Sequence, residues 1–155
     1  KKICDTMFID EINNMIRMNC QEQELVRFIQ QYQVEEARVV NMQQNQLNKD
    51  SGTQTVMTMP NDIIVDLNDL GNDKFSPLHV ACSVGNESIV NYLLVKKHID
   101  PNVQGRQEWV PLEIACWNGH PRIVDMLLKD KRTILNYQHP IRGSCLHLAA
   151  KGDHF

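Results

Sequence analysis

The stretch Ser76-Pro77-Leu78-His79-Val80-Ala81 decides the fold of this chain, because its pattern returns twice further along. The second copy is Val110-Pro111-Leu112-Glu113-Ile114-Ala115, and the third is Ser144-Cys145-Leu146-His147-Leu148-Ala149. Each copy begins 34 residues after the one before. A period in this range is the mark of a protein built from stacked repeats.

The same register extends beyond these copies. Residues 65–68 overlay residues 99–102, and residues 89–94 overlay residues 123–128. Gly85 overlays Gly119 in between. So many matches in one register indicate a repeated structural unit rather than a repeated short motif.

Local signals predict two short helices in each unit. Ser76 is a natural N-cap and Pro77 suits the first helical turn, where its missing N–H costs nothing. Gly85 favours the left-handed end of this helix. The second helix begins near Glu87 and has a buried stripe of Ile89, Val90, Leu93 and Leu94. Helices this short need neighbouring units to complete their core.

These residues resemble the ankyrin repeat over residues 64–155. The resemblance implies an all-α solenoid, in which each unit has two antiparallel helices followed by a hairpin-like finger. The units stack into a curved array with a concave face. We expect about two complete units and the start of a third in residues 63–155, and at least one further helix beyond the last residue.

The first third of the chain predicts a helical hairpin. Residues 6–32 show two helical apolar patterns, separated by a polar break at residues 19–21. We expect a helical cap on the repeats within residues 1–47, although such a stripe also suits a partner-binding groove. Residues 48–62, within the polar stretch 43–62, predict a flexible loop, either a plain insertion or a regulatory segment.

Composition excludes several classes of function. The net charge of −3 without a basic patch argues against nucleic-acid binding, and no apolar run is long enough for membrane insertion. The five cysteines are scattered without a C-x-x-C pair, which favours a reducing, cytoplasmic or cytosol-facing location. We find no motif for catalysis, a cofactor or a metal, and the six histidines lack ligand spacing.

What remains is a surface for a protein partner, which the resemblance places on the concave face of fingers and first helices. Aromatic and Arg side chains are the usual anchors of such interfaces. The protein-binding candidates are Lys74, Phe75, Arg106, Glu108, Trp109, Trp117 and Arg142. Phe75 is more simply explained by packing along its finger, and both explanations stay open for Trp109. Trp117 is included because its helix position varies between copies, with Lys151 in the third.

The middle copy departs from the family pattern. The family typically has Thr and His where this copy has Val110 and Glu113, so this unit is either less braced or Glu113 has another partner. The family also prefers Gly at the finger tip, where Lys74 and Glu108 stand. We expect the first two tips to deviate from the usual turn.

The sequence therefore predicts a non-catalytic protein–protein interaction module, acting as a scaffold or adaptor within a larger polypeptide or assembly. The alternative is the regulatory N-terminal segment of a larger enzyme, ion channel or lipid-transfer protein. A purely architectural role in a large complex is a third possibility.

Overall fold

A computed structural model describes residues 2–33, 66–137 and 139–152, with only the backbone for residues 2–5. The chain divides into two compact units. One comprises Lys1–Glu22 with Leu67–Phe155, and the other is Gln23–Asp66. The loop predicted at 48–62, and any continuation of the second helix past residue 33, lie outside the described residues.

The described residues form helices at the places that the repeat register predicts. The helices are α1 (Lys2–Arg17), α2 (22–33), α3 (Pro77–Val84), α4 (Glu87–Val95), α5 (Pro111–Trp117), α6 (Pro121–Lys129) and α7 (Cys145–Lys151). Helices α3, α5 and α7 begin 34 residues apart. Within α2, Leu25 and Ile29 are buried four residues apart, as one face of a helix requires.

The repeats build two layers of helices. Helices α1, α3, α5 and α7 pack side by side as an inner layer. Helix α4 packs behind α3, α6 packs behind α5, and α4 contacts α6. The core between the layers is made of the periodic apolar residues Leu78, Ala81, Ile89, Leu93, Leu112, Ala115, Ile123 and Leu127, all buried. Burying each large side chain contributes roughly 1.5–3 kcal/mol, which explains why the period of the pattern sets the architecture.

Helix α1 covers α3 on the side where a preceding repeat would lie. Its buried face also binds the first finger: Asn13 Nδ2 donates to the carbonyl oxygen of Phe75 at 2.9 Å, and Arg17 forms an ion pair with Asp73. The polar break falls at residues 18–21, as predicted. These contacts are those of a capping helix, while the wider cap of residues 1–47 stays a prediction.

Three fingers, residues 71–75, 105–109 and 139–143, precede the inner helices. Each is closed by the N–H of its first residue donating to the carbonyl of its last, at 3.0, 2.8 and 3.2 Å. Lys74 (φ 64°) and Glu108 (φ 61°) adopt the left-handed conformation that Gly favours. The expected deviation from the usual turn stays a prediction for the first finger. The second finger does differ from it, because Gln107 (φ 54°) is left-handed as well, and each such residue costs about 1–2 kcal/mol.

Two asparagines tie successive repeats together. Asn68 donates from Nδ2 to the carbonyl of His98 and accepts the N–H of Asp100, each at 2.7 Å. Asn102, one period later, makes the same two bonds with the following connection, again at 2.7 Å. These side chains satisfy the backbone of connections that have no ladder of their own.

Candidate protein-binding groove

A groove opens where the first two fingers meet helices α3 and α5. Its volume is about 350 Å³. It is lined by Arg17, Phe75, His79, Val80, Ser83, Val84, Trp109, Ile114, Trp117 and Asn118. Val84 and Trp117 are 37% and 39% exposed. Bulky apolar surface is thus left in water at a concave place that another molecule would fill.

Two tryptophans form the aromatic centre of the groove. The ring centroids of Trp109 and Trp117 are 6.2 Å apart and the planes meet at 69°, an edge-to-face arrangement that contributes about 0.5–1.5 kcal/mol. The guanidinium carbon of Arg142 lies over the Trp109 ring, 4.4 Å from its centroid. Trp109 is therefore held by neighbours and half-buried, whereas Trp117 is the more accessible ring.

Arg142 supports the two tryptophans from within the fold and is not an exposed contact residue. Its side chain is 15% exposed, and its Nη2 lies 3.3 Å from Oε2 of Glu113, which is fully buried. Its Nη1 donates to the carbonyl of Gln107 at 2.9 Å. Glu113 Oε2 also accepts the N–H of Val110 at 3.2 Å, so the middle unit keeps the brace at the start of its helix. The expectation that Glu113 finds another partner is confirmed.

In the first unit, His79 stands where Glu113 stands in the second, and its neutral ring braces the start of helix α3. Its Nδ1 faces the N–H of Ser76 at 3.2 Å and the Ser76 hydroxyl at 2.8 Å. Because Nδ1 accepts, Nε2 carries the hydrogen and donates to the carbonyl of Trp109 at 2.9 Å. Burial lowers the pKa of His79, against the weaker opposing effect of the Trp109 hydrogen bond. The His79 ring also touches Phe75, with centroids 5.6 Å apart.

This geometry gives the fold a defined pH dependence. Since the pKa of folded His79 lies below its ordinary value of about 6.5, the unfolded chain binds a proton more readily. The contribution to stability is complete above about pH 6.5 and is lost as the pH falls below it, by up to about 1.4 kcal/mol per pH unit. We expect His79→Gln to flatten the slope of unfolding free energy between pH 7.5 and 5.5, measured in urea.

The matched control for this change is His147→Gln. His147 accepts the N–H of Ser144 in the same place of the third unit, but it is exposed. The effect of the substitution at His79 is taken as the difference between the slopes of the two variants. A His79→Gln protein with an unchanged slope would contradict the assignment of His79.

The candidate residues predicted from the sequence divide into three groups. Phe75, Trp109 and Trp117 line the groove together, and Trp117 is exposed, as the variation between copies suggested. Lys74, Arg106 and Glu108 are exposed on the finger tips, outside the lining. Arg142 supports the groove from within.

The sequence interpretation missed Arg17, Val84 and Ile114 as groove residues. Val84 and Ile114 lie on the inner helices, and their place followed from the register, since Val84 is 34 residues before Asn118, which also lines the groove. Arg17 had no signal, because it comes from α1, far away in the sequence.

Other chemistry finds no support in the described part of the chain. There, no three His, Cys, Asp or Glu side chains cluster as metal ligands would. No helix in the described ranges is both long and apolar enough to cross a membrane. Burial raises the pKa of the Cys82 thiol, which opposes a role as a nucleophile.

One thiol pair links the second and third units. A hydrogen bond from the Cys116 thiol to Cys145, together with burial, raises the pKa of Cys116, while the same hydrogen bond lowers the pKa of Cys145. Both cysteines line a second, apolar cavity of about 610 Å³ between α5, α6 and α7. Leu128 and Leu146 at this cavity are 48% and 76% exposed.

Comparison with known families agrees with the repeat register. A family model described as ankyrin repeats (3 copies) matches residues 54–139. The match begins ten residues before the segment expected from the sequence and ends before the third copy of the motif at Ser144. No similar sequence was found among curated proteins.

Proposed function

Because this chain belongs to the ankyrin-repeat family, whose members are generally protein–protein interaction modules, we propose that it is a non-catalytic module that binds a protein partner in the groove. The observation that carries the proposal is the exposure of Trp117 and Val84 on a concave surface. Tryptophan is among the residues that most often carry the energy of an interface. The module acts as a scaffold or adaptor within a larger polypeptide or assembly.

The way Trp109 is held supports this function. A binding surface must be ordered before the partner arrives, because ordering it afterwards costs affinity. Arg142 stacks on Trp109, and Trp109 packs edge-to-face on Trp117. The partner would therefore meet a rigid aromatic surface.

We also propose that the module works in a cytosol-facing compartment. Cys82, Cys116 and Cys145 are free thiols, and free thiols persist where the surroundings are reducing.

Affinity capture from the source organism tests the function. We expect Trp117→Ala with Arg106→Ala to lower recovery of specifically bound proteins about tenfold, the loss of roughly 1.4 kcal/mol of binding free energy. Trp117 is a better target than Trp109, because Trp109 also holds Arg142 in the fold. Captured proteins are identified by mass spectrometry and their binding is confirmed with purified components.

The matched control is Val95→Ala with Lys97→Ala, which removes an exposed apolar residue and an exposed cation outside the groove lining. It should bind as the wild type does. Equal recovery by the groove variant and the control would contradict the groove as the binding surface. Circular dichroism melts establish that both variants are folded.

A further inference from the structure

Two exposed cationic residues, Lys74 and Arg106, lie on neighbouring fingers at the edge of the groove. The N–H of Arg106 donates to the carbonyl oxygen of Lys74 at 2.8 Å, so the backbones of the first two fingers touch there. Gly105 permits this approach, because a Cβ on it would lie 2.9 Å from the same carbonyl. We call Lys74 and Arg106 the cationic rim. Each is next to, or three residues from, an aromatic residue of the groove lining, Phe75 or Trp109.

The cationic rim has no counter-charge of its own. Among the residues that the structure describes, neither Lys74 nor Arg106 takes part in an ion pair. An anion bound at these two fingers would supply the counter-charge that both side chains lack. These two unpaired cations are a local feature, since the whole chain carries a net charge of −3.

The acidic side chains near the cationic rim are directed to other partners. Asp73 pairs with Arg17, and Glu113 is buried against Arg142. Glu108 is the exposed acid on the second finger, and its Oε2 lies 3.6 Å from Nε2 of His139 on the third. Asp10 also lies at the first finger, where it accepts from the N–H and Nδ2 of Asn72. The described acids at the first two fingers therefore have partners of their own, whereas Lys74 and Arg106 form no ion pair within the described residues.

The groove itself calls for an apolar group. Its volume of about 350 Å³ is at the small end of the range for ligand pockets, roughly 300–1,000 Å³. Trp109, Trp117 and Val84 give it apolar walls. A single bulky side chain of a peptide fits such a site better than an extended cofactor does.

Taking these features together, we propose that the groove binds an acidic segment of a partner protein, which inserts one bulky apolar side chain between Val84 and Trp117. Its carboxylates pair with Lys74 and Arg106. The proposal rests on the protein-binding function above and names the chemistry of the partner. Nucleic acid fits less well, because two cations are too few for a phosphate-backbone footprint and the chain is acidic overall.

Short fluorescein-labelled peptides in an anisotropy titration test this chemistry. One peptide places a single Phe among Asp and Glu residues, a second replaces its Phe by Ala, and a third and fourth replace its acids by Ser or by Lys. We expect the acidic Phe peptide to bind the wild-type chain most tightly, with about tenfold loss for the Ala peptide. The Ser peptide should bind about tenfold more weakly, and the Lys peptide should not bind up to about 1 mM. Affinity for the acidic peptide should fall as salt is added.

Charge reversal locates the site. Lys74→Glu with Arg106→Glu should weaken binding of the acidic Phe peptide about tenfold or more. The control, Lys97→Glu with Lys131→Glu, makes the same change in net charge at exposed lysines outside the groove lining and should bind as the wild type does. Trp117→Ala should weaken binding of the Phe peptide and leave that of the Ala peptide unchanged.

Several outcomes overturn the proposal. Equal weakening by both charge-reversal pairs would mean that only net charge matters. Competition by inorganic phosphate or a single-stranded oligonucleotide at the same strength as the peptide would mean a general anion site. If the Ser peptide bound more tightly than the acidic peptide and lost affinity in Trp117→Ala, the acidic partner would be rejected. The protein-binding function would still stand. No effect of Trp117→Ala on any peptide or captured protein would reject both.

Discussion

Replacing Arg142 by Ala is expected to lower the free energy of unfolding by about 3–5 kcal/mol, the usual cost of removing one partner of a buried ion pair. Glu113 is fully buried and Arg142 is 15% exposed at the side chain, so the carboxylate left behind has no access to water. The Oε1 atom of Glu113 lacks a hydrogen-bond partner within the described residues, so the N–H of Val110 to Oε2 is the hydrogen bond that remains there to the stranded carboxylate. Urea unfolding followed by circular dichroism measures the change.

The control for Arg142→Ala is Arg122→Ala. Arg122 also pairs with a glutamate, Glu87, but the two side chains are 81% and 47% exposed. Removing such a surface pair usually changes stability by less than about 0.5 kcal/mol. Similar unfolding midpoints for the two variants would contradict the buried pair.

A double-mutant cycle separates the ion pair from simple packing. With Glu113→Gln already present, replacing Arg142 by Met should cost much less than it does in the wild type, because no buried charge is stranded. The coupling energy between the two positions is expected to exceed about 1 kcal/mol. Additive effects would assign the loss to the contact of Arg142 with Trp109 instead.

Replacing Arg132 by Ala is expected to lower the free energy of unfolding by about 2–3 kcal/mol. The guanidinium of Arg132 donates to the carbonyls of Leu94, Lys96, Lys97 and Ile99, at 2.7–3.2 Å, and so closes the end of helix α4. A hydrogen bond to a charged group contributes about 1.5–3 kcal/mol. Water can replace Arg132 at the exposed carbonyls of Leu94, Lys96 and Lys97, so the expected loss is that of about one such bond. Arg132→Lys should not restore stability, since an ammonium cannot reach all four oxygens.

The pKa of Asp130 reports on the position of the Arg132 guanidinium at the end of helix α4. Its carboxylate accepts from Nε and Nη2 of Arg132 at 3.0 and 2.6 Å, and these bonds hold the pKa of Asp130 below its ordinary value. In Arg132→Ala the Asp130 pKa should rise, as followed by NMR titration. Lys129→Ala, which removes an exposed pair with Asp125, is the control and should cost about 0.3–0.5 kcal/mol. An unchanged Asp130 pKa in Arg132→Ala would contradict the hydrogen bonding assigned to the Arg132 guanidinium.

The repeat architecture was predictable because it is written in a periodic pattern. Pro77 and Pro111, one period apart, begin helices α3 and α5, and buried residues such as Leu78 and Leu112 recur in the same register. Neighbouring repeats must present matching apolar faces, so each copy repeats the same constraint.

The site was predictable in part. Phe75, Trp109 and Trp117 were among the sequence candidates, as aromatic residues near the fingers or, for Trp117, as a position that varies between copies, and all three line the groove. The role of Arg142 was not found, because it depends on Glu113, 29 residues earlier and in another unit. That pairing breaks the repeat pattern at both ends, and a period shows only what its copies share. The departure at Glu113 was the available signal.

The asparagine pair has a mechanical consequence. Asn68 and Asn102 fasten each connection only to the next one along the chain. A pull on the end that carries α7 would load these fastenings one after another rather than all at once. Under tension the stack should lengthen in steps of one period, 34 residues, each adding roughly 110 Å of extended chain. Optical tweezers would resolve such steps. Asn102→Ala should lower the force at which the connection bound by Asn102 opens.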